Sequence, residues 1–392
     1  RWSKTVDGET ATISSADSRQ RWRKFHRDLS EDSLFLAKHL KVPGENEANK
    51  HLSIAVREDA EESTRAGVRQ GGGRLFVTFP TEVETHLPVH VNAKFQPERS
   101  RRRLKLDGDL GEWNKDVVVQ AGQAIAAEIV PIRDALGSPV LFWELVDSAW
   151  MAKQRGPDDL VITNYWDASL KEVLKSQKVI WAESDSWMAV DDVRYRLLDK
   201  DDKGSNQRVI HVLGKLGVET VHWQIQQKIE QTSGEPILKE LGVKELSLTD
   251  VAAALKRSDL SEGIDQFLGG KHLLRALWEE CNRLLKGQKG APIQPLALWP
   301  TTAGSYKPAR DMFRADDDYE IRRIVEGFFL DVEFLDDAMP SSFEGLRGVV
   351  DSFQLVHLVD AIAASIDSNA TKLAQVDDKQ RKRLFKWIYD HK

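Results

Sequence analysis

Four arginines crowd into five residues, Arg99, Arg101, Arg102 and Arg103 around Ser100, and Lys94 lies just upstream of them. A guanidinium is planar, permanently charged and able to donate two parallel hydrogen bonds to one anionic group. A turn this rich in arginine is therefore either a working contact for an anion or a corner kept soluble by its charge. A second basic run opens the chain, with Arg19, Arg21, Arg23, Lys24, His26 and Arg27. It reads either as a solvated face or as a contact for phosphate or nucleic acid.

Beyond these cations the sequence holds no self-contained active site. It has no glycine-rich loop ending in Gly-Lys-Ser/Thr, no dinucleotide glycine fingerprint and no His-Glu-x-x-His zinc helix. Gly-x-Ser-x-Gly is absent as well, so no nucleophile elbow is expected. Gly71-Gly72-Gly73 lacks the lysine and helix that phosphate binding would need and reads as a turn. Residues 199–206 alternate acidic groups as calcium loops do, without the closing glutamate. His86 and His90 stand four apart, but Leu87-Pro88 between them breaks any helical ligand pair. Asp191-Asp192 and Asp336-Asp337 are adjacent pairs, whose side chains point apart in regular structure. No metal site is expected. The lone Cys281 excludes an intramolecular disulfide and sits at helical spacing, as a packed residue rather than a nucleophile.

The arginine turn must be held by its flanks. Residues 75–79 and 89–95 read as strands, with Leu87-Pro88 leading tightly into the second. After the turn, Gly111-Glu112-Trp113-Asn114 leads into a long apolar helix at about residues 115–136, which Pro131 kinks or breaks. Upstream, residues 1–13 read as strand with an Asp7-Gly8 turn, and Leu52, Ile54 and Val56 as one face of another strand. Residues 18–40 read as a helix carrying Trp22, Phe25, Leu29, Leu36 and Leu40. These mixed elements place an α+β or α/β unit at residues 1–137.

From Ser138 the pattern becomes mostly helical, punctuated by Trp143, Trp150, Trp166, Trp181 and Trp187. A strand-like stretch at 178–181, a helix at 209–217 with a glycine stop and a short buried strand at 218–223 follow, then a helix through Leu255 capped by Thr249. This helical domain is expected to span residues 138–287. Residues 288–392 form a small mixed domain, with an apolar strand at 295–300, a turn at 301–305 and amphipathic helices from Ser352. The fold class is α+β (mixed α/β).

The chain has 392 residues, 41% hydrophobic and 30% charged, with twelve tryptophans, enough for two or three domains with real cores. A net charge of −6 and a pI near 6.0 argue against a general nucleic-acid binder but leave room for a local basic site. No apolar run approaches the length of about 18 residues that a membrane helix needs, and no secretory signal opens the sequence. No membrane partner is expected, and the scarcity of cysteine fits a reducing cytoplasm. The opening Arg-Trp-Ser-Lys and the closing apolar face at Trp387-Ile388-Tyr389 read as ends cut from something longer.

Residues 75–80, then Thr85-His86-Leu87-Pro88-Val89-His90-Val91-Asn92-Ala93-Lys94-Phe95, the arginine turn and Gly111-Glu112-Trp113-Asn114 resemble sacsin and its bacterial relatives. In that family a Leu-Pro-Val-His-Val-Asn strand is followed by an arginine pair and a Gly-Glu-Trp-Asn helix start, just after a histidine-kinase/heat-shock-type (GHKL) ATPase domain. Residues 212–221, 246–255 and 295–306 add weaker similarity to later landmarks of a sacsin-type repeat, in the expected order. The sequence departs from the pattern at Ala93, where a glycine is usual, and at residues 298–302, where the family's turn is more regular.

The resemblance implies a segment that follows the ATP-binding domain, with no catalytic residues of its own. ATP and magnesium belong to that upstream domain, whose helix and Asp-x-Gly-x-Gly loop are absent here. By similarity, Arg101 or Arg102 matches the family's arginine pair, with Arg99 and Lys94 as neighbours, and would reach the γ-phosphate across a domain boundary. The implied function is chaperone-like coupling of the upstream ATPase to a helical, tryptophan-rich part that binds a client or partner protein. The alternative is a phosphate- or nucleic-acid-binding module of a bacterial defence or restriction system, using Arg19, Arg21, Arg23, Arg27 and the arginine turn. A third reading is a purely structural repeat array.

Overall fold

The computed structural model describes residues 3–14, 19–40, 42, 50–58, 73–77, 79–85, 87–100, 102–154, 166–196, 203–260, 263–285, 292–315 and 318–391. The chain is α+β and divides into two compact units, Arg1–Leu198 with Val221–Lys244, and Asp199–Thr220 with Glu245–Lys392.

The first unit is organised on a seven-stranded sheet. Its strands are β1 (Ser3–Asp7), β2 (Thr10–Ser14), β3 (Arg19–Asp28), β4 (His51–Arg57), β5 (Arg74–Val77), β6 (Phe79–Glu84) and β7 (Val89–Asn92), in the order β1-β2-β3-β4-β7-β5-β6. Neighbours are antiparallel except β5 and β7, which pair parallel through Leu75–Val91 and Phe76–Asn92. The helix expected at 18–40 is thus a strand for its first half. Trp22, Phe25, Leu29 and Leu36 fit a helical spacing, but residues 19–28 pair on both edges, with β2 and with β4, and Phe25 is buried opposite Ile54. Pairing on two sides outweighs a weak local preference. Only Glu31–His39 is helical, capped by Ser30, whose hydroxyl accepts the Ser33 N–H at 3.2 Å.

Two helices, Gly108–Ala127 and Ile129–Leu136, cover one face of the sheet. Trp113, Val117, Ala121, Ile125 and Ile129 recur every fourth residue and bury against Leu52, Ile54, Val56, Leu75, Val89 and Val91 of the strands. The helical stretch begins earlier than expected, and its break falls at Glu128. Pro131 sits in the first turn of the second helix, where its missing N–H leaves no intrahelical bond unmade.

The boundary anticipated after residue 137 does not separate two cores. Gly137 closes its helix in the left-handed region (φ 60°), but the next helix, Pro139–Gln154, buries Phe142, Trp143, Leu145, Val146 and Ala149 in the same core. Apolar groups on so much of its circumference require neighbours all round. Trp143, Trp150 and Trp166 are buried in this core.

In the second unit the helices Lys203–Lys215, Leu248–Arg257, Ile264–Leu268 and Lys271–Leu284 share one core with Ile293, Leu298 and Trp299, so the described residues on either side of the boundary expected at 287 belong together. Residues 203–206 open the first of these helices instead of belonging to a loop, and 199–202 lie outside the described residues. Of the strand expected at 218–223, Val221 makes an isolated bridge to Ala182 within the first unit, where the helix Trp223–Glu230 follows. The apolar strand at 295–300 narrows to Trp299–Pro300, which pairs with Tyr306–Lys307 across a turn closed by Thr301 N–H to Ser305 O at 2.8 Å. A further core joins Ile321, Ile324, Leu358 and Trp387. No helix among the described residues is long and apolar enough to cross a membrane.

Ser247, not Thr249, caps Leu248–Arg257. Its hydroxyl accepts the Asp250 N–H at 3.2 Å and its own N–H donates to Asp250 Oδ2 at 3.0 Å, a reciprocal capping box. Ser247→Ala should therefore lower stability by about 1 kcal/mol, whereas Thr249→Ala should leave it nearly unchanged. Chemical denaturation of the two variants checks this; equal losses would remove the assignment.

Candidate functional site

The arginine turn is the tip of a small hairpin, and its base is clamped by the helix that follows. Pro97 and Leu104 form a bridge, Glu98 N–H donates to Arg103 O at 2.9 Å, and Lys105 N–H donates to Gln96 O at 3.0 Å. Asn114, 1% exposed, closes this base from the side. Its Oδ1 accepts the Gln96 N–H at 2.7 Å, and its Nδ2 donates to the carbonyls of Gln96 and Lys105, both at 2.8 Å. The buried Trp113 indole donates to Lys94 O at 2.8 Å. Gly111 permits the approach, since a β-carbon there would lie 2.3 Å from the Leu106 carbonyl group. One amide side chain thus bonds three backbone groups, adding a second donor to the Gln96 carbonyl that Lys105 already reaches. The Gly-Glu-Trp-Asn stretch, legible only as a helix start, is the device that fixes the hairpin.

Arg99, Arg102 and Arg103 are exposed at the tip. Arg102 Nε lies 3.3 Å from Glu82 Oε1, a pair whose side chains are 71% and 64% exposed and which constrains the guanidinium little. Arg99 and Arg103 make no ion pair among the described residues. Lys94 is half-buried and belongs to the base, not the tip. Arg101 lies outside the described residues.

The basic run of β3 is arranged differently. Arg21 and Arg23 each reach Glu58 at 2.7 Å, and Arg27 pairs with Glu128 between the two sheet-covering helices. Period-2 alternation puts Arg21, Arg23, Phe25 and Arg27 on one face, where carboxylates meet them. They do not form an open cationic stripe on a helix, as the nucleic-acid reading expected. The side chain of Arg19 lies outside the described residues.

His90 is structural. Its ring packs 4.9 Å from Trp22 and 5.2 Å from Phe76, its Nδ1 accepts the Arg74 N–H at 2.8 Å, and burial, helped by the Arg74 charge, lowers its pKa. His86, Gly71 and Gly72 lie outside the described residues. Gly73 is buried where a β-carbon would come within 1.6 Å of Val89 O, and its backbone is paired, its N–H donating to Leu87 O at 2.7 Å and its carbonyl accepting the Thr85 N–H at 2.6 Å, so its smallness serves a close approach of backbone segments. Asp336 and Asp337 diverge, Asp336 accepting the Ala338 N–H at 2.7 Å and Asp337 pairing with Arg322 at 3.4 Å. Cys281 is fully buried, and burial followed by the Glu280 charge pushes its thiol pKa far up, as an inert packed residue requires. Among the described residues no group of His, Cys, Asp and Glu is placed to hold a metal.

One concave site escaped the sequence reading. The second unit contains a cleft of about 960 Å³ in which Asp265, Lys271, Arg275, Trp278, Tyr306 and Asp336 converge. Each is an ordinary residue in its own stretch, and only the tertiary fold brings them together. Compared with protein-family models, curated proteins and solved structures, the chain matches none.

Proposed function

We propose that this chain is the non-catalytic middle region of a sacsin-like, GHKL-type ATPase, whose arginine hairpin contacts phosphate held by an ATP-binding domain of the same protein. The observation that supports this reading is the combination of a rigid base and an open tip. Asn114 and Trp113 hold the strands of the hairpin, while Arg99, Arg102 and Arg103 remain exposed. A cation intended only for solubility needs no such clamp. A cation that must meet a developing negative charge does, because electrostatic stabilisation depends on donors already in position.

In this reading ATP and magnesium sit in the upstream domain, and the hairpin supplies guanidinium groups to the transferring phosphoryl oxygens. Coupling to a client protein passes through the sheet and helices that carry the hairpin, in a cytoplasmic protein. The nucleic-acid alternative loses support because Arg21, Arg23 and Arg27 are already held by carboxylates.

In the protein joined to its ATP-binding domain, Arg101→Ala with Arg102→Ala should lower ATP turnover at least about tenfold while ATP affinity changes much less, the signature of a contact made in the transition state. Steady-state hydrolysis alongside nucleotide titration measures both. Unchanged turnover in the double variant removes the proposal.

A further inference from the structure

The cleft of the second unit is assembled from the helix Ile264–Leu268, the start of the helix Lys271–Leu284, the turn between Trp299–Pro300 and Tyr306–Lys307, and the segment around Asp336. Its volume of about 960 Å³ is at the upper end for small-molecule sites and exceeds what a single amino acid fills. Leu274 and Trp278 give it an apolar wall. The Trp278 indole N–H is already bonded to Leu298 O at 3.0 Å, so the residue contributes apolar surface rather than a donor.

Its polar groups are segregated. At one end Tyr306 is half-buried, and it lies close enough to the carboxylates of Asp265 and Asp336 to feel their charge. Burial, then Asp265, then Asp336 push the tyrosine up to about 12, so its hydroxyl remains a donor throughout the neutral range. Both carboxylates are held by backbone, Asp265 Oδ1 by the Gln266 N–H at 3.0 Å and Asp336 Oδ1 by the Ala338 N–H at 2.7 Å. Neither has a cationic partner among the described residues. Lys271 and Arg275 lie along the cleft on the first turns of their helix and are exposed.

We propose that this cleft binds a short peptide segment through an arginine, seating the guanidinium between Asp265 and Asp336 and directing an acidic group of the segment toward Lys271 and Arg275. Two carboxylates fixed by backbone N–H groups in one cleft, with no cationic partner among the described residues, create a demand for positive charge. A guanidinium answers it better than an ammonium, because its planar fork donates to two carboxylates at once and it is less strongly hydrated. The methylene stem of the arginine then covers the apolar wall at Trp278 and Leu274. The size of the cleft and the cations along it select a peptide over a lone guanidinium compound.

Fluorescence anisotropy with a labelled Gly-Arg-Gly-Glu-Gly peptide, acetylated and amidated, tests this on the full chain. Saturable binding is expected, weakened at least about tenfold when citrulline replaces arginine, a change that keeps shape and removes charge. The variant Asp265→Asn with Asp336→Asn should show a similar loss while keeping its melting temperature, and arginine amide should compete at least about tenfold more weakly than the peptide. The inference is overturned by no binding at millimolar peptide, by equal binding of the citrulline peptide, or by arginine amide competing as well as the peptide. The citrulline comparison uses the unaltered protein, so it holds even where the double variant does not fold.

Discussion

Arg283→Ala should destabilise the second unit by about 3 kcal/mol, because it strips a buried carboxylate of its bidentate partner. Glu280 is 1% exposed, and Arg283 approaches it with Nη2 2.5 Å from Oε1 and Nε 3.1 Å from Oε2. The two sit three residues apart on the helix Lys271–Leu284, with Glu280 facing the core beside Cys281 and Arg283 one-quarter exposed. A surface pair at this spacing contributes only a few tenths of a kcal/mol. The difference here is desolvation: Glu280 is almost fully buried, and removing the guanidinium takes two charge-assisted hydrogen bonds from a desolvated carboxylate. Adding Glu280→Met to Arg283→Ala should recover at least about 1 kcal/mol, since an apolar side chain of similar volume carries no charge to bury. Urea denaturation of the two variants measures both effects. A loss below about 1 kcal/mol in the single variant, or no recovery in the double, would show that the buried charge is not what Arg283 compensates.

The elements that could be read from sequence were those whose pattern admits one interpretation. Leu52, Ile54 and Val56 alternate cleanly and form the buried face of β4. Asp7-Gly8 marks the β1–β2 turn, with Gly8 at φ 56°. The 301–305 turn and the packed Cys281 follow equally simple rules. Residues 19–28 satisfied two periodicities at once, and only the adjacent strands decided between them. The candidate site was legible to the same limited degree. The concentration of arginine was visible, but the clamp was not, because Asn114 acts on Gln96, 18 residues away, and nothing about an asparagine near a helix start announces that partner. Asp265, Tyr306 and Asp336 were separate punctuation until the fold closed them around one cleft. Sequence patterns report local geometry and burial; convergent polar groups arise from long-range contacts, which periodicity does not encode.

Glu240→Gln should cost the first unit about 2 kcal/mol at neutral pH, and that penalty should shrink in acid. The carboxylate ties together helices that lie far apart in sequence. Lys153 Nζ and Trp166 Nε1 donate to Oε1 at 2.8 and 2.9 Å, Trp150 Nε1 donates to Oε2 at 2.9 Å, and Lys171 Nζ lies 3.3 Å from Oε1. It thereby fastens Pro139–Gln154, the π-helical turn Trp166–Leu170 and Lys171–Ser176 to the helix Glu235–Leu241. Burial alone would raise its pKa, but the hydrogen bonds from Lys153, Trp150, Trp166 and Lys171 outweigh that and hold it down to about 2. Since the unfolded carboxyl titrates near 4.5, the folded protein binds fewer protons between the two values, so the contribution is complete above about 4.5 and is lost as the pH falls through about 2. Glutamine retains the shape and one acceptor but leaves two lysines facing a neutral group, which turns charge-assisted bonds into ordinary ones. The difference in unfolding free energy between the parent and Glu240→Gln should therefore drop to less than half its neutral value by about pH 3. A difference that stays constant between pH 7 and pH 3 would mean that the side chain's packing, not its charge, holds these helices together.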